Sequence, residues 1–294
     1  MFMKQRIFAL GFFDGVHLGH QALLNACVRL AAELGVQSAA ITFLAHPQSL
    51  FTDTPPKLLT THEDRVALLR QYGVDSVYSY PVTPEVMGMH WEAFLEELMG
   101  FGAAGFVCGA DFRFGHKGMG NAWRLREFCE NRGLPCIIVE DRTLDGIRIS
   151  SSHIRGLLKA GRVEDAIRFL GHPHILSGTV VSGRQLGRTI GIPTANLILP
   201  PEVLCPKHGV YACVAEVEGE RYAAVTNIGS RPTVGGHRVT VEPWLLDFSG
   251  DLYGKNIHLE LHAFLREEQK FDTLEELKAA ILENEQQTRT LLKM

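Results

Sequence analysis

The order of apolar and polar positions divides the chain into two regions. From residue 6 to about residue 170, short apolar runs alternate with longer amphipathic segments. RIFAL and SAAITFL are typical of buried strands, whereas the spacing in GHQALLNACVRLAAELG predicts a helix that ends at Gly35. Alternating strands and helices of these lengths predict βαβ units and an α/β domain with a parallel sheet.

The same pattern predicts the remaining elements of this first region. Strands are expected at DSVYSY, AGFVCG and LPCIIVE, and helices at THEDRVALLRQYG, HWEAFLEELMG and NAWRLREFCENRG. In parallel sheets of this kind, ligands bind beyond the carboxyl ends of the strands. The glycine-rich loops of the sequence fall at those ends, so we expect a binding site there.

After GRVEDAIRFLGHPH, strand-like runs follow one another without helices between them. They are ILSGTVVSG, GVYACVAEVEG, RYAAVTNIG, HRVTVEPWLLDF and KNIHLELHAFL. A helix follows only at the end, where Thr273 is its expected N-cap and Glu276 occupies the capping-box position. This pattern predicts an all-β barrel with one C-terminal helix. We therefore expect two domains, residues 1–172 and 173–294.

Composition and charge narrow the classes of function. The net charge of −4 provides no overall basic field, so binding to nucleic acid through bulk electrostatics is not expected. The sequence has no apolar run of about 18 residues and no signal-peptide pattern, so no membrane association is expected. Six scattered cysteines without a C-x-x-C pair indicate reduced thiols and a cytoplasmic protein.

The segment GFFDGVHLGH, which follows the first predicted strand, contains two histidines at the expected start of a helix. Free backbone N–H groups and the helix dipole make such a start suitable for an anion, above all a phosphate. His17 and His20 can add further N–H donors, and Gly19 permits a close approach to the backbone. A packed core or cap role and a metal site are the alternatives, and a structural zinc site would need four ligands.

A second glycine-rich segment, GTVVSGRQLGRTIGIPTAN, lies at the start of the barrel region. It is not a Walker A motif, because no G-K-[ST] follows its glycines. Thr194 and Asn196 in PTAN offer oxygen ligands of the kind that share Mg²⁺ with nucleotide phosphates. A plain turn is the alternative reading of these four residues.

Motifs in both halves resemble the bacterial bifunctional riboflavin kinase/FAD synthetase family. In the first half they are GFFDGVHLGH, TFLAHP, CGADFRFG and ISSSHIR; in the second they are GRTIGIPTANL, HGVYA, NIGSRPT, VEPWLLDF, DLYG and LREEQKF. The resemblance implies a Rossmann-like nucleotidyltransferase domain that converts FMN and ATP to FAD and pyrophosphate. It also implies a barrel domain that converts riboflavin and ATP to FMN, with Mg²⁺ required by both.

The same resemblance implies roles for individual residues. Glu242 would be the general base of the kinase, and Thr194 and Asn196 would bind Mg²⁺. His17 and His20 would hydrogen-bond the ATP phosphates during adenylyl transfer. Nucleotide-binding roles are implied for Gly11, Phe13, Asp14, Gly19, Gly109, Asp111, Ser151, Ser152 and Arg155 in the first domain, and for Gly183, Arg188 and Gly191 in the second.

Several positions depart from the family pattern. Phe12 stands where the family often has Asn, Ala45 where it often has Pro, and Ser152-His153 where Thr-Arg is common. Because His153 stands where the family commonly has Arg, this chain lacks a cation near the phosphates. Trp244 replaces a common His or Tyr, which bears on flavin stacking. For His46, a capping role and a nucleotide contact are both open.

Two alternatives to the bifunctional enzyme stay open. One is a riboflavin kinase whose adenylyltransferase domain is inactive, and His153 motivates it. The other is a non-catalytic flavin- or nucleotide-binding regulator, which has less reason to combine Glu242 with the histidine pair. In each case the expected partners are small molecules, and the sequence leaves self-association open.

Overall fold

The computed structural model describes residues 4–182, 191–233 and 236–294, which form two compact units. The first unit comprises the described residues up to Leu58 together with His62–Ser151. The second comprises Leu59–Thr61 and the described part of Ser152–Met294.

The first unit contains a parallel sheet with the strand order β3-β2-β1-β4-β7. Its predicted strands and helices are all present, which confirms the α/β class. The larger elements are β1 Arg6–Leu10, α1 Leu18–Leu34, β2 Gln37–Phe43, α2 His62–Gln71, β3 Ser76–Tyr80, α3 Pro84–Met87, α4 Trp91–Gly100, β4 Ala103–Gly109, α5 Ala122–Glu130 and β7 Cys136–Val139. Two short hairpins are β5 Arg113–Phe114 with β6 Gly120–Asn121, and β8 Thr143–Leu144 with β9 Ile147–Arg148.

The apolar periodicity of α1 explains both its position and its end. Leu23, Leu24, Cys27 and Ala31 are buried, and they recur at the three- and four-residue spacing of one helix face. At the C-terminus, Gly35 has φ 66°, a left-handed conformation that glycine adopts without the cost of a Cβ atom. The predicted stop at Gly35 is therefore confirmed.

The second unit is built around a closed barrel with the strand order β10-β11-β14-β13-β12-β15. The barrel pairs are antiparallel. This confirms the predicted all-β barrel. The unit contains α6 Ser151–Lys159, whose first residue belongs to the first unit, α7 Val163–Leu170, β10 His174–Val181, β11 Asn196–Ile198, β12 Gly209–Val217, β13 Glu220–Thr233, β14 Gly236–Leu245, β15 Asn256–Arg266 and the C-terminal helix α8 Leu274–Leu292.

The start of α8 is capped as the sequence predicts. The Thr273 hydroxyl accepts a hydrogen bond from the Glu276 N–H at 3.2 Å. The Glu276 carboxylate accepts one from the Asp272 N–H at 3.1 Å, one residue before the usual capping-box partner. Leu292, near the end of α8, packs on a buried cluster that includes Val210 and Val225 of the barrel.

The helices before the barrel pack with it. Helix α7 contacts β10 and β15, and the Lys207 N–H donates to the Leu158 carbonyl at 3.0 Å. The boundary between the two compact units therefore lies after Ser151, whereas the change from helices to strands lies near residue 172. The division into catalytic domains at 172/173 stays a prediction.

Two candidate active sites

The loop between β1 and α1 has a strained backbone. Phe13 has φ 61° and Val16 has φ 37°, a region that residues with a Cβ atom seldom adopt and that is least favourable for a β-branched residue such as Val16. The Val16 N–H donates to the Phe13 carbonyl at 3.1 Å. A Cβ atom on Gly11 would lie 2.9 Å from the Phe13 ring, so this turn requires glycine there. Strain of this kind concentrates at binding sites.

The two histidines of the motif stack at the N-terminus of α1. Their ring centroids are 3.6 Å apart and their planes differ by 13°. His17 is the N-cap, and its Nδ1 accepts the His20 N–H at 3.3 Å. Because Nδ1 accepts, a neutral His17 carries its proton on Nε2, which can donate to a ligand. Gly19 permits this packing, since a Cβ there would lie 3.2 Å from the His17 ring.

The environment of His20 favours the neutral imidazole. Burial lowers its pKa well below 6.5, and the neighbouring His17 and Arg65 lower it further. Within the described residues, His20 Nδ1 is buried and has no hydrogen-bond partner. His20 is therefore uncharged near pH 7 until a negative group comes close. The sequence alone leaves this protonation state open.

The other predicted residues of this site differ in what they can offer a ligand. The side chain of Phe13 is fully buried, so only its backbone is available, and Asp14 is 2% exposed. The Ser151 hydroxyl donates to the Asp14 carbonyl at 3.0 Å, which brings the start of ISSSHIR to the β1–α1 loop. Ser152 and Arg155 follow on α6, where Ser152 is exposed and Arg155 is half-buried.

Asp111 has a partner that sequence reasoning missed. The Arg148 guanidinium contacts the Asp111 carboxylate at 2.5 Å and the Asp141 carboxylate at 2.8 Å. Both carboxylates raise the pKa of Arg148. A Cβ on Gly109 would lie 3.3 Å from the Asp111 carboxylate, so the predicted loop at the end of β4 is closely folded. Arg148 stands immediately before ISSSHIR, and that adjacency was the available signal.

In the barrel, the strand register places three polar residues side by side. Leu197 pairs with Val241, and the Ala195 N–H donates to the Pro243 carbonyl at 2.9 Å, so Asn196 lies opposite Glu242. On the other side, Asn227 of β13 pairs with Glu242. Directly opposite residues share a sheet face, with Cβ atoms about 5 Å apart. Glu242 is half-buried between two amides, and Asn227 is a candidate that the sequence did not indicate.

Thr194, two residues before Asn196, lines a cavity of about 200 Å³. Most of its remaining wall comes from the segment that follows β14. Residues 248–253, Leu245, Val180, Pro193 and Ala195 complete the lining. The cavity thus adjoins the polar row, and the segment FSGDLY is a wall that sequence reasoning had not assigned.

An ion pair holds the beginning of that wall. Asp247 has φ 60°, and the Arg289 guanidinium donates to both of its carboxylate oxygens, at 2.8 and 2.9 Å. Arg289 also contacts Glu285 at 3.0 Å. The hydrogen bonds from Arg289 lower the pKa of Asp247. A bidentate pair of this geometry fixes orientation better than a single contact does.

Gly183 and Arg188 lie outside the described residues, whereas Gly191 is described and has φ 78°. Over residues 4–182, 191–233 and 236–294, no group of three His, Cys, Asp or Glu side chains is placed to hold a metal ion. In the same part of the chain, no helix is both long enough and apolar enough to cross a membrane.

Two family models match the chain, one on each half. A family model described as FAD synthetase matches residues 2–153, and one described as riboflavin kinase matches residues 170–292. A bifunctional riboflavin kinase/FMN adenylyltransferase of Listeria monocytogenes is 35% identical over 288 residues, covering 97% of this chain and 91% of the relative. The chain belongs to this family.

Other members of the bifunctional riboflavin kinase/FMN adenylyltransferase family are equally similar. The protein of Bacillus subtilis is 36% identical and covers 96% of this chain and 90% of its own. That of Escherichia coli K12 is 36% identical, with 95% and 90% covered. A crystal structure from Streptococcus pneumoniae has a TM-score of 0.88 at 28% identity, covering 98% of this chain and 95% of its own; its title names a macrolide-efflux protein.

His153 and Trp244, which depart from the family pattern, and His46 each have defined contacts in the structure. The His153 ring packs edge-on against Phe169 of α7, at 4.6 Å between centroids. Trp244 pairs with Val225 and packs on the cluster beneath α8. His46 is the N-cap of the 3-10 helix Pro47–Leu50, where its Nδ1 accepts the Gln48 N–H at 3.1 Å. Of the two roles left open for His46, the structure shows the capping role, and the nucleotide contact stays a prediction.

Proposed function

We propose that the two candidate sites catalyse successive steps of flavin cofactor synthesis, with the catalytic roles divided as follows. The barrel phosphorylates riboflavin to FMN, and the α/β unit transfers an adenylyl group from ATP to FMN. The family places both activities in this chain. The observation that supports the residue assignment is the pair of distinct arrangements, a carboxylate between two amides in the barrel and stacked histidines at a helix start in the α/β unit.

In the kinase step, Glu242 accepts the proton of the riboflavin 5′-hydroxyl. The hydroxyl oxygen bonds to the γ-phosphorus of ATP, the bond from that phosphorus to the β–γ bridging oxygen breaks, and ADP leaves. This carboxylate is half-buried on β14, between the amides of Asn196 and Asn227.

Thr194 and Asn196 fit Mg²⁺ by the chemistry of their donors. A hydroxyl and an amide oxygen are hard ligands, and Mg²⁺ commonly takes few protein ligands beside substrate phosphates. A site with few protein ligands needs no cluster of three acidic or imidazole groups, and none is placed for a metal among the described residues. When bound, the ion supplies charge neutralisation at the phosphates. The side chains of Thr194 and Asn196 would hold the ion.

In the adenylyl transfer step, no protein nucleophile is required. A phosphate oxygen of FMN bonds to the α-phosphorus of ATP, and the bond to the leaving pyrophosphate breaks. His17 donates from Nε2, while free N–H groups of the first turn of α1 add to the positive potential. The approaching phosphates favour protonation of His20, whose environment otherwise keeps it neutral.

One assay tests the proposal against its two alternatives. The full chain is incubated with riboflavin, ATP and Mg²⁺, and the flavins are resolved by chromatography. We expect FMN to appear first and FAD afterwards. FMN without FAD would identify a kinase with an inactive adenylyltransferase unit, and flavin binding without any product would identify a regulator. The cytoplasmic location and the state of self-association stay predictions.

Loss of Arg289 is expected to weaken ATP binding by the kinase. Arg289→Gln removes the bidentate contact that holds Asp247 in a left-handed conformation beside Phe248, a wall residue of the cavity. We expect the KM for ATP in riboflavin phosphorylation to rise about five-fold, with kcat within two-fold. Arg221→Gln is the matched control, because Arg221 forms a similar bidentate pair with Glu260 away from the cavity. Equal effects in both variants would contradict the prediction.

Loss of Arg148 is expected to impair adenylyl transfer alone. Arg148→Gln leaves Asp111 and Asp141 without their shared cation, so two carboxylates would repel the ATP phosphates near the loop after β4. We expect kcat/KM for ATP in FAD formation to fall between about 10- and 100-fold. Steady-state assays with supplied FMN measure this. Arg132→Gln, which breaks an exposed Arg132–Glu96 pair, is the control and should leave both reactions unchanged.

A further inference from the structure

Arg65 of α2 is the largest fully buried side chain among the described residues. One guanidinium nitrogen, Nη2, donates to the Phe43 carbonyl at 2.5 Å. Its Cζ lies 4.5 Å from the centroid of the Phe12 ring. The other two nitrogens, Nε and Nη1, are buried and have no hydrogen-bond partner within the described part of the chain. Such an arrangement is costly for a fixed cation.

The surroundings of this cation belong to the proposed adenylyltransferase site. Phe12 and Asp14 lie in the β1–α1 loop, Phe43 ends β2, and His20 lies in the first turn of α1. Burial lowers the pKa of Arg65 to about 10, and the charges of Asp14 and Glu63 oppose that change. Arg65 therefore stays charged at neutral pH, beneath the loop where phosphates are expected to bind.

Phe12 connects the cation to the loop. Arg65 lies over the Phe12 ring, and the His46 ring meets Phe12 edge-on at 5.1 Å between centroids. The Phe12 carbonyl accepts the Thr42 hydroxyl at 2.8 Å. A planar guanidinium stacks on an aromatic ring in a way that lysine does not reproduce.

We propose that Arg65 is a positioning residue for adenylyl transfer, which holds Phe12 and the strained β1–α1 loop and adds fixed positive charge beneath the phosphate site. The proposal rests on the proposed function of the α/β unit. The negative charge of a bound phosphate lowers the free-energy cost of burying the Arg65 cation. That cost is not already compensated at Nε and Nη1, because neither nitrogen has a hydrogen-bond acceptor among the described residues. The same charge disfavours a proton on His20 before the substrate arrives.

The electrostatic part of this proposal involves few groups. In the α/β unit, His20 is influenced by His17, which stacks on it, and by Arg65. Asp14 and Glu63 act on Arg65 with the opposite sign. The Phe13 ring, edge-on to His20 at 5.3 Å, carries no charge. Removal of the Arg65 charge should therefore move the His20 pKa upward, toward that of an exposed histidine.

The test compares Arg65→Met, Arg65→Lys and the exposed control Arg70→Met from the same helix in the full chain. FAD formation from supplied FMN gives kcat and KM, and riboflavin phosphorylation reports whether the barrel is intact. Nuclear magnetic resonance of labelled histidines follows the titration of His20. For Arg65→Met we expect kcat of adenylyl transfer to fall at least 30-fold, unchanged kinase activity and a raised His20 pKa.

The companion variants separate charge from shape. Arg65→Lys keeps the charge and loses the planar stack, so we expect a fall in kcat of about five-fold with the His20 titration unchanged. Phe12→Leu should lower kcat in the same way, and it serves as the test if Arg65→Met does not fold. A folded Arg65→Met with kcat within two-fold of the original chain, or with an unchanged His20 titration, would overturn the proposal.

The design also separates this proposal from the proposed function. A wild-type chain that forms no FAD would reject adenylyl transfer itself. In that case the His20 titration in Arg65→Met still decides whether Arg65 acts on the histidine pair. A shift there would support the contact between Arg65 and the pair, and no shift would reject it.

Discussion

Glu242→Gln is expected to lower riboflavin phosphorylation by about 10²–10⁴-fold while leaving FAD formation from supplied FMN within two-fold. Glutamine keeps the size and polarity of the side chain but cannot accept the proton of the 5′-hydroxyl. Because Glu242 is half-buried between Asn196 and Asn227, the amide of glutamine can be accommodated at this position. The loss should therefore appear in kcat and little in stability.

The measurement uses two assays on the same preparation, riboflavin to FMN and FMN to FAD. Glu220→Gln is the matched control, since Glu220 begins the adjacent strand β13 and is exposed. A folded Glu242→Gln chain with near-normal FMN formation would exclude Glu242 as the base. Thr194 and Asn196 could then still bind nucleotide, but a group other than Glu242 would have to accept the proton of the 5′-hydroxyl.

Much of the fold follows from periodicity alone. The apolar run at Arg6–Leu10 and the stripe along Leu18–Leu34 each have one structure that buries them, a strand and a helix. The change to consecutive strands after α7 predicts the barrel for the same reason. Local signals with a clear mechanism, such as Gly35 and Thr273, were equally reliable because each satisfies backbone groups at a helix end.

The residues that sequence reasoning missed depend on register and on packing between elements. Asn227 stands next to Glu242 because β13 pairs with β14 in one register, and a shift by one residue would place it on the other sheet face. Arg148 reaches Asp111 across 37 positions of sequence. Arg65 resembles any polar helix residue until the burial of its side chain is known. Periodicity carries no information on these distances.

The packing of the helices before the barrel illustrates the same limit. The apolar spacing in α6 and α7 is typical of helices that bury one face, and the buried side chains include Leu157, Leu158 and Phe169. The pattern does not indicate which surface covers these side chains. Contacts group these helices with the barrel, although the pattern before residue 172 is that of the α/β region.

His17→Ala is expected to lower FAD formation by about 10²–10³-fold and to leave riboflavin phosphorylation unchanged, so that FMN accumulates. In the structure Nδ1 caps the first turn of α1, and the proposed mechanism adds a second function, donation from Nε2 to a phosphate. His17→Asn separates them, because asparagine is a good N-cap but lacks the imidazole.

We expect His17→Asn to unfold at a temperature near that of the original chain and to retain the full loss of FAD formation. Recovery of activity in His17→Asn would mean that His17 serves only as a cap. If His17→Ala and Glu242→Gln each damaged both reactions equally in folded protein, the assignment of one reaction to each unit would be wrong. Opposite effects of the two substitutions on FMN and FAD formation would instead support that assignment, because each substitution removes a group from one site.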